Sequence, residues 1–418
     1  MESTRDLLVR GVAAAKARLI GEARFYLEWL LRLEPPKDQK LEALYWLSTL
    51  VTDPDQEREM LESILAEEPL EPRARRRLLI IDGKLDANDV INADYYEQKI
   101  SLPAVSEADR FTCPKCGGRL TYAADGSSLE CEYCNTRQFF RRQTASLTND
   151  RSSGNDFIAA MATASGHNQI MEQQLLTCQG CGAEFMLTMH EISTICPFCR
   201  SPQVVNLNIV RQMIPPSRII PVEVGFPQAF AAARAVFSGE LDVNQMNDVR
   251  PAFYPVWQFE MSGSIGWRLP DVDSTDDQRE SKYYGEEPVD FYFVPVMAVS
   301  NLPGRFHDLV QEFDYNRAVE YNPRYLVDCL AVGYQIPLSD AALEAREQTV
   351  RDVTRRIEKR LKLVTGDFFI NSSSLFIAQF WLTLVPIWVF HDSHSKQVAI
   401  INGQNGRTRV NYFNERDG

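Results

Sequence analysis

The sequence predicts a multidomain chain with an all-α N-terminal domain, two small cysteine-rich domains and an α+β C-terminal domain. Apolar residues recur at helical spacing through the first hundred positions, and eight of the nine cysteines fall in C-x-x-C pairs. After residue 205, short β-branched and aromatic runs alternate with helical patterns. The expected boundaries are 1–100 for the helical domain, 108–142 and 174–206 for the cysteine-rich domains, 143–173 for a flexible linker, and 207–418 for the α+β domain.

The helical domain carries an internal repeat. LLRLEP, from Leu30 to Pro35, and ILAEEP, from Ile64 to Pro69, are offset by 34 residues (64 − 30), the period of tetratricopeptide helix pairs. The signature of those repeats is incomplete, so we expect about two degenerate tetratricopeptide-like repeats and a capping helix that ends at Gly83. Such arrays are typically scaffolds. Two roles are open for this domain: it forms a groove that binds a protein partner, or it is a plain helical packing module.

Two cysteine frames share one spacing. CPKCGGRLTYAADGSSLECEYC begins at Cys113 and CQGCGAEFMLTMHEISTICPFC begins at Cys178, and fourteen residues separate the two C-x-x-C pairs of each frame. Four thiolates so arranged favour tetrahedral zinc, with rubredoxin-like iron and disulfide or redox chemistry as alternatives. We predict two Zn²⁺ per chain, with the ligands Cys113, Cys116, Cys131, Cys134, Cys178, Cys181, Cys196 and Cys199. Since cysteine fills all four positions, no position is left for a catalytic water, and both sites are predicted to be structural zinc ribbons.

The turn that follows each C-x-x-C pair often needs a residue that tolerates positive φ. Glycine follows the first pair of each frame, whereas Asn135 and Arg200 follow the second pairs. Asparagine adopts left-handed geometry readily and arginine less so. The sequence therefore predicts a left-handed residue at Asn135.

A basic and aromatic segment follows the first frame. RQFFRRQ interleaves Arg137, Arg141 and Arg142 with Phe139 and Phe140, a combination that can stack on bases and meet phosphates. The alternative is an ordinary hairpin edge. The net charge of −13 and the pI of about 5.0 argue against broad nucleic-acid binding, so nucleic acid is possible as a partner but not favoured.

The C-terminal domain is predicted from strand and helix signals. Strands are expected in FYPVWQFE, FYFVPVMAV and LVPIWVFH, and a helix from Ser339 to Val364 with an apolar stripe through Leu343, Val350 and Ile357. Its basic face is either solvated or in contact with anionic lipid or an acidic partner. The apolar run from Leu375 to Phe390 has 16 residues, which favours buried strands over a spanning helix.

Motifs for catalysis are missing from the sequence. It has no G-x-x-x-x-G-K-[ST], no G-x-S-x-G and no H-E-x-x-H, and DVDSTDD departs from a calcium loop. No signal peptide is visible, and the paired cysteines suit a reducing cytoplasm. The odd cysteine, Cys329, lies in an apolar run and is expected to be buried.

Several C-terminal segments share the pattern of a known group. CPFCRSPQVV, IIPVEVGFPQAFAAARAVF, FYPVWQFEMSG and LVPIWVFHDSHSKQVAIINGQNGRTR follow one another within about Leu176 to Val410. They resemble bacterial and archaeal zinc-ribbon proteins that are similar to primosomal protein N′, the replication-restart helicase, but the chain has no helicase motor. Some of those proteins look like accessory factors encoded beside SPFH-domain and phage-shock-protein-A-like membrane-stress proteins, often with C-terminal membrane helices. No such helix is found up to Gly418, so we expect no direct membrane anchor.

Taken with the closed metal frames, these observations predict a cytoplasmic, non-enzymatic zinc-binding adaptor that recruits protein partners. The resemblance implies a membrane-stress or SPFH-type complex. Peripheral membrane contact is possible, and the sequence itself predicts no transmembrane segment. We expect no small-molecule substrate. The alternatives are a nucleic-acid-binding accessory factor that acts through its zinc ribbons, and an enzyme whose site lies in the C-terminal domain.

Overall fold

The computed structural model describes the following residues: 3–69, 71–91, 105–110, 113, 115–116, 120–122, 128–131, 133–139, 154–167, 174–177, 184–187, 191–195, 202–205, 214–237, 249–268, 284–299, 304–326, 329–361, 369–392 and 397–412. The chain divides into two compact units. The first comprises Met1–Tyr96 and Ile158–Ala164, and the second comprises Glu97–Phe157 and Ser165–Gly418. A helical N-terminal part and an α+β C-terminal part are thereby confirmed.

Antiparallel helices build the first unit: α1 Thr4–Lys16, α2 Ile20–Arg32, α3 Lys37–Ser48, α4 Pro54–Glu67 and α5 Pro72–Ile81. Local signals fix their ends. Ser3 and Asp6 form a capping box at the start of α1, and Pro54 and Pro72 occupy first turns. Gly83, with a φ of 69°, follows α5 as expected.

The 34-residue repeat is visible in the buried positions of α2 and α4. Ala23, Leu27 and Leu30 are buried in α2, and the residues 34 positions later, Glu57, Leu61 and Ile64, are buried in α4. Glu57 is tolerated there because the Arg77 guanidinium donates to both of its carboxylate oxygens. The offset read from the sequence is confirmed at these positions, whereas a tetratricopeptide identity stays a prediction.

The strands of the second unit are mostly antiparallel. They are β1 Val105–Arg110, β2 Leu120–Tyr122, β3 Ser128–Cys131, β4 Arg137–Phe139, β5 Asn155–Asp156, β6 Gln174–Thr177, β7 Glu184–Leu187, β8 Glu191–Ile195, β9 Pro202–Val205, β10 Arg218–Ile219, β11 Ala252–Arg268, β12 Tyr284–Met297, β13 Val319–Glu320, β14 Leu330–Val332, β15 Phe369–Asn371, β16 Phe376–Asp392, β17 Gln397–Asn402 and β18 Thr408–Tyr412. The second unit also contains the helices α7 Phe226–Val236, α8 Gly304–Val310 and α9 Leu338–Leu361.

The centre of this unit is an antiparallel array in the order β12–β11–β16–β17–β18. The apolar run that began at Leu375 forms one strand, β16, and every residue from Phe380 to Trp388 in it is buried. This confirms a buried strand. Among the described residues, no helix is both long and apolar enough to cross a membrane.

Strands β11 and β16 each contain a tryptophan two residues after a proline, and the indole N–H of each tryptophan bonds to a neighbouring segment. The Trp388 indole donates to the Val224 carbonyl at 2.9 Å, and the Trp257 indole donates to the Ile336 carbonyl at the same distance. Each ring is nearly fully buried, so its N–H needs such a partner. These motif residues therefore position the segments that lead into α7 and α9.

The buried face of helix α9 matches the expected stripe only in part. Its buried residues are Leu338, Ala341, Ala342, Ala345, Thr349, Val353 and Ile357. Ile357 agrees with the expected stripe, but Leu343 is 69% exposed, so its placement in the stripe was wrong. Three of the buried residues in its first turns are alanines, whereas the larger Leu343 faces solvent.

The segment NGQNG, from Asn402 to Gly406, forms the turn between β17 and β18. Asn-Gly pairs are typical of such turns. The Asn402 side chain accepts hydrogen bonds from the Gln404 and Asn405 backbones. The Gln404 side chain, 6% exposed, in turn pairs with both the backbone N–H and the carbonyl of Asp314. A Cβ on Gly403 would lie 2.8 Å from the Pro386 carbonyl oxygen, so this position requires glycine.

Part of the expected linker has secondary structure. Within residues 154–167, β5 pairs with β16, and FIAAM forms the short helix α6, Phe157–Met161. The Phe157 ring packs edge-on against Phe259 and Phe380 in the second unit. Thr163 forms a bridge to Val90 in the first unit. The segment thus contributes residues to both units.

Candidate metal centre

Short strands frame the first set of cysteines. Strands β2, β3 and β4 form a three-stranded antiparallel sheet. Cys113 and Cys116 lie between β1 and β2, Cys131 is the last residue of β3, and Cys134 lies between β3 and β4. Both C-x-x-C pairs therefore lie at strand ends, where tight turns can aim several side chains at one point.

The second turn of this frame is closed by backbone hydrogen bonds. The Asn135 N–H donates to the Cys131 carbonyl at 2.9 Å, and the Cys131 N–H donates to the Thr136 carbonyl at 3.0 Å. Asn135 has a φ of 55°, in the left-handed region. The prediction from its residue type is confirmed, because few side chains other than asparagine adopt this geometry readily.

The four sulfurs of the first frame come together. All four Sγ atoms of Cys113, Cys116, Cys131 and Cys134 lie within 4.8 Å of one another. The Sγ atoms of Cys116 and Cys134 are 3.4 Å apart, and those of Cys113 and Cys134 are 3.5 Å apart. Tetrahedral zinc with Zn–S bonds of about 2.3 Å requires S···S separations of about 3.8 Å. A small outward shift would thus seat the ion, so the group can hold a metal.

No disulfide links the cysteines of the first frame in the structure. A disulfide needs an S–S length of about 2.05 Å, and all four thiols are free. Cys113 and Cys131 are 2% and 0% exposed, whereas Cys116 is exposed and Cys134 is half-buried. Two of the four cysteines are thus buried, and two are accessible to solvent.

Thr136 supports the sulfur of Cys134. Its Oγ1 lies 3.1 Å from that sulfur. Hydrogen bonds from the Thr136 side chain, then from its backbone, lower the pKa of Cys134 to about 6, with the neighbouring thiols adding to the shift. The thiolate is the form that binds a metal. The sequence reasoning missed Thr136, although a hydroxyl two residues after the last cysteine of a frame is a readable signal.

The second set of cysteines, Cys178, Cys181, Cys196 and Cys199, lies outside the described residues. The flanking strands are described: β6 pairs with β7 and β8 pairs with β9, each antiparallel. The innermost partners are Thr177 with Glu184 and Ile195 with Pro202, so each C-x-x-C pair lies in the connection of one hairpin.

The strand that leads into the first frame belongs to the sheet that flanks the second frame, whereas β2, β3 and β4 form a sheet of their own. Strand β1, which leads towards Cys113, is parallel to β6 on one side and antiparallel to β9 on the other. Strand β8 then pairs with β14, and β14 pairs with β11 of the central array. At that junction the Ser193 hydroxyl donates to the Cys329 carbonyl at 2.7 Å. Cys329 is 7% exposed, which confirms that it is buried.

The residues considered for nucleic-acid contact are only partly described. Arg137 lies directly opposite Glu130 in the β3–β4 pair and forms an ion pair with it at 3.2 Å. Phe139 is the last residue of β4. Phe140, Arg141 and Arg142 lie outside the described residues. The ion pair favours the hairpin-edge interpretation of Arg137.

The basic face of α9 is similarly compensated. Arg351 pairs with Glu347 at 2.7 Å, and Arg360 pairs with Glu287 at 2.8 Å. These carboxylates reduce the attraction of the face for anionic lipid. The acidic DVDSTDD segment lies outside the described residues.

No family model, curated protein or solved structure matches this chain. The cysteine geometry is therefore the observation on which a function is built.

Proposed function

We propose that the protein is a non-enzymatic, zinc-binding adaptor. The observation that carries this proposal is the close approach of four cysteine sulfurs in the first frame. Four protein thiolates complete the tetrahedral shell of zinc and leave no position for a water or substrate. Such a site contributes folding free energy to a segment too small for a core of its own.

A second zinc in the Cys178 to Cys199 frame is part of the proposal. It is supported by the identical spacing of the two frames and by the hairpins that flank both C-x-x-C pairs. We expect about two zinc ions per chain by elemental mass spectrometry. Cys113→Ser/Cys116→Ser and Cys178→Ser/Cys181→Ser should each retain one zinc, and the quadruple variant none. Iron, or a native content of one ion or none, would contradict the proposal.

The adaptor role rests on the helical unit and on the resemblance. Helical repeats commonly bind other proteins, and the group that the chain resembles favours a membrane-stress or SPFH-type complex. Affinity purification of the full chain from its native host should retain a stable protein partner, with an SPFH-domain protein or its associates as the expected class. Recovery of the chain alone, at native abundance and after mild cross-linking, would overturn the adaptor role.

Nucleic-acid binding is the alternative that the same purified protein can test. It predicts salt-dependent binding of single- or double-stranded oligonucleotides and a loss of affinity in Arg137→Ala. We expect no change in fluorescence anisotropy at low salt, because Glu130 already neutralises Arg137 and the net charge is −13. Tight binding that Arg137→Ala weakens would favour the alternative function.

A further inference from the structure

Helix α2 exposes a row of large apolar side chains. Phe25, Trp29 and Leu33 are 59%, 40% and 46% exposed, while Ala23, Leu27 and Leu30 on the opposite side are buried. Residues four apart lie about 40° from each other around a helix, so the three form one stripe. The Phe25 and Trp29 rings touch edge-on with centroids 5.7 Å apart, which makes the patch continuous.

The internal repeat provides a comparison within the same molecule. The residues 34 positions later on α4 are Glu59, Ser63 and Glu67, all exposed and all polar. The buried positions of the two helices match in the same register, so the fold places both sets of side chains in solvent. The fold itself does not require apolar residues at the stripe. Contiguous exposed apolar groups with charged neighbours mark an interaction surface.

The charges beside the stripe are arranged symmetrically. Glu22 lies three residues before Phe25, and Arg32 lies three residues after Trp29, so the segment reads E-x-x-F-x-x-x-W-x-x-R. Its centre is at Leu27. If two copies of α2 run antiparallel with their centres level, Glu22 of each copy is level with Arg32 of the other. Phe25 is likewise level with Trp29.

The same arrangement places Leu33 level with Gly21 of the second copy. Gly21 is exposed, and a Cβ there would meet no atom within 4 Å, so the surface is open at that point. The stripe is therefore complementary to itself in charge, in aromatic pairing and in shape. These are the properties of an isologous two-fold interface.

We propose that the α2 stripe is a self-association surface whose occupant is a second copy of this chain. A stable interface takes about 800 Å² from each partner, and one helical stripe supplies only part of that area. The dimer is therefore weak, with a dissociation constant in the micromolar range. The proposal goes beyond the adaptor role and needs neither the metal nor a partner protein.

The test is sedimentation velocity of the full chain from low micromolar to several hundred micromolar concentration. The wild-type chain should pass from monomer to dimer. Phe25→Glu/Trp29→Ser, which installs the residues of the second repeat, should weaken the dimer about 30-fold because two aromatic anchors are lost. Leu343→Glu, a matched change of an exposed apolar residue on α9, should leave it unchanged. Circular dichroism should show wild-type helix content in every variant.

Charge exchange separates a second copy from any other occupant. Glu22→Arg and Arg32→Glu should each weaken the dimer severalfold, because each places like charges level with one another. The double variant should restore the wild-type affinity, since both copies then carry the exchanged pair. A wild-type chain that stays monomeric, a dimer that survives Phe25→Glu/Trp29→Ser, or a double variant that stays as weak as the single ones would overturn the proposal.

Discussion

The hydrogen bond between Thr136 and Cys134 allows a sharp test of the metal centre. Thr136→Val removes the hydroxyl that lies 3.1 Å from the Cys134 sulfur and keeps the shape of the side chain. All four cysteines remain, so the zinc content should not change. Partners of metal ligands typically contribute about 10- to 100-fold to metal affinity. Cys134 is half-buried, and water can partly replace the lost donor, so we expect a loss of about tenfold, at the low end of that range.

The assay is competition with a coloured zinc chelator in a Cys178→Ser/Cys181→Ser background, which isolates the first frame. Thr163→Val is the matched control, because the Thr163 hydroxyl donates to the Ala160 carbonyl in the helical unit. An affinity within twofold of the parent would refute a supporting role for Thr136. A drop in zinc content would instead show that the substitution disrupts the turn itself.

Three further predictions concern stability. Gly263→Ala should lower the free energy of unfolding by about 3 kcal/mol or more, because φ is +112° and the new Cβ would overlap the Ser374 carbonyl. The assay is urea unfolding followed by tryptophan fluorescence. Gly266→Ala should change the free energy of unfolding little, because its new Cβ would lie 3.7 Å from the nearest atom, the Asn371 carbonyl oxygen. In the same assay Gln404→Ala should cost about 2–4 kcal/mol by leaving two backbone groups unpaired. The pKa of Glu42 is lowered chiefly by its hydrogen bond from Arg73. The Glu42–Arg73 pair therefore stabilises the folded state above pH 4.5, and this stabilisation is lost as the pH falls further. Between pH 5 and pH 3, the free energy of unfolding, measured by thermal unfolding, should fall by about 1 kcal/mol less in Glu42→Gln than in the wild-type chain.

Features of the fold that depend on local chemistry were predictable from the sequence. The spacing of the first cysteine frame predicted its clustered sulfurs, because two tight turns bring four thiolates together whatever surrounds them. Asn135 was readable for the same reason, since its left-handed backbone depends on residue type. The β16 strand followed from its β-branched and aromatic composition.

Features that depend on distant pairing were not predictable. Nothing in VSEADR indicates that β1 lies between β6 and β9, about seventy and a hundred residues later, because strand pairing is set by the whole sheet. The face of α9 was misjudged at Leu343 because a heptad count gives weight to large side chains. In the structure, small alanines occupy buried positions of its first turns instead.

The pairing of β1 gives a reason for one chain to carry the same frame twice. This strand leads towards Cys113 and is hydrogen-bonded on both sides to strands that flank the second frame. The strands concerned have only four to six residues each, too few to be stable alone. If each frame closes around a metal, the two ions fix the ends of neighbouring strands in one sheet, and β14 transmits that order to the central array. Loss of either metal should then loosen the strands of both frames. The two proposed metals would then serve the architecture of the second unit.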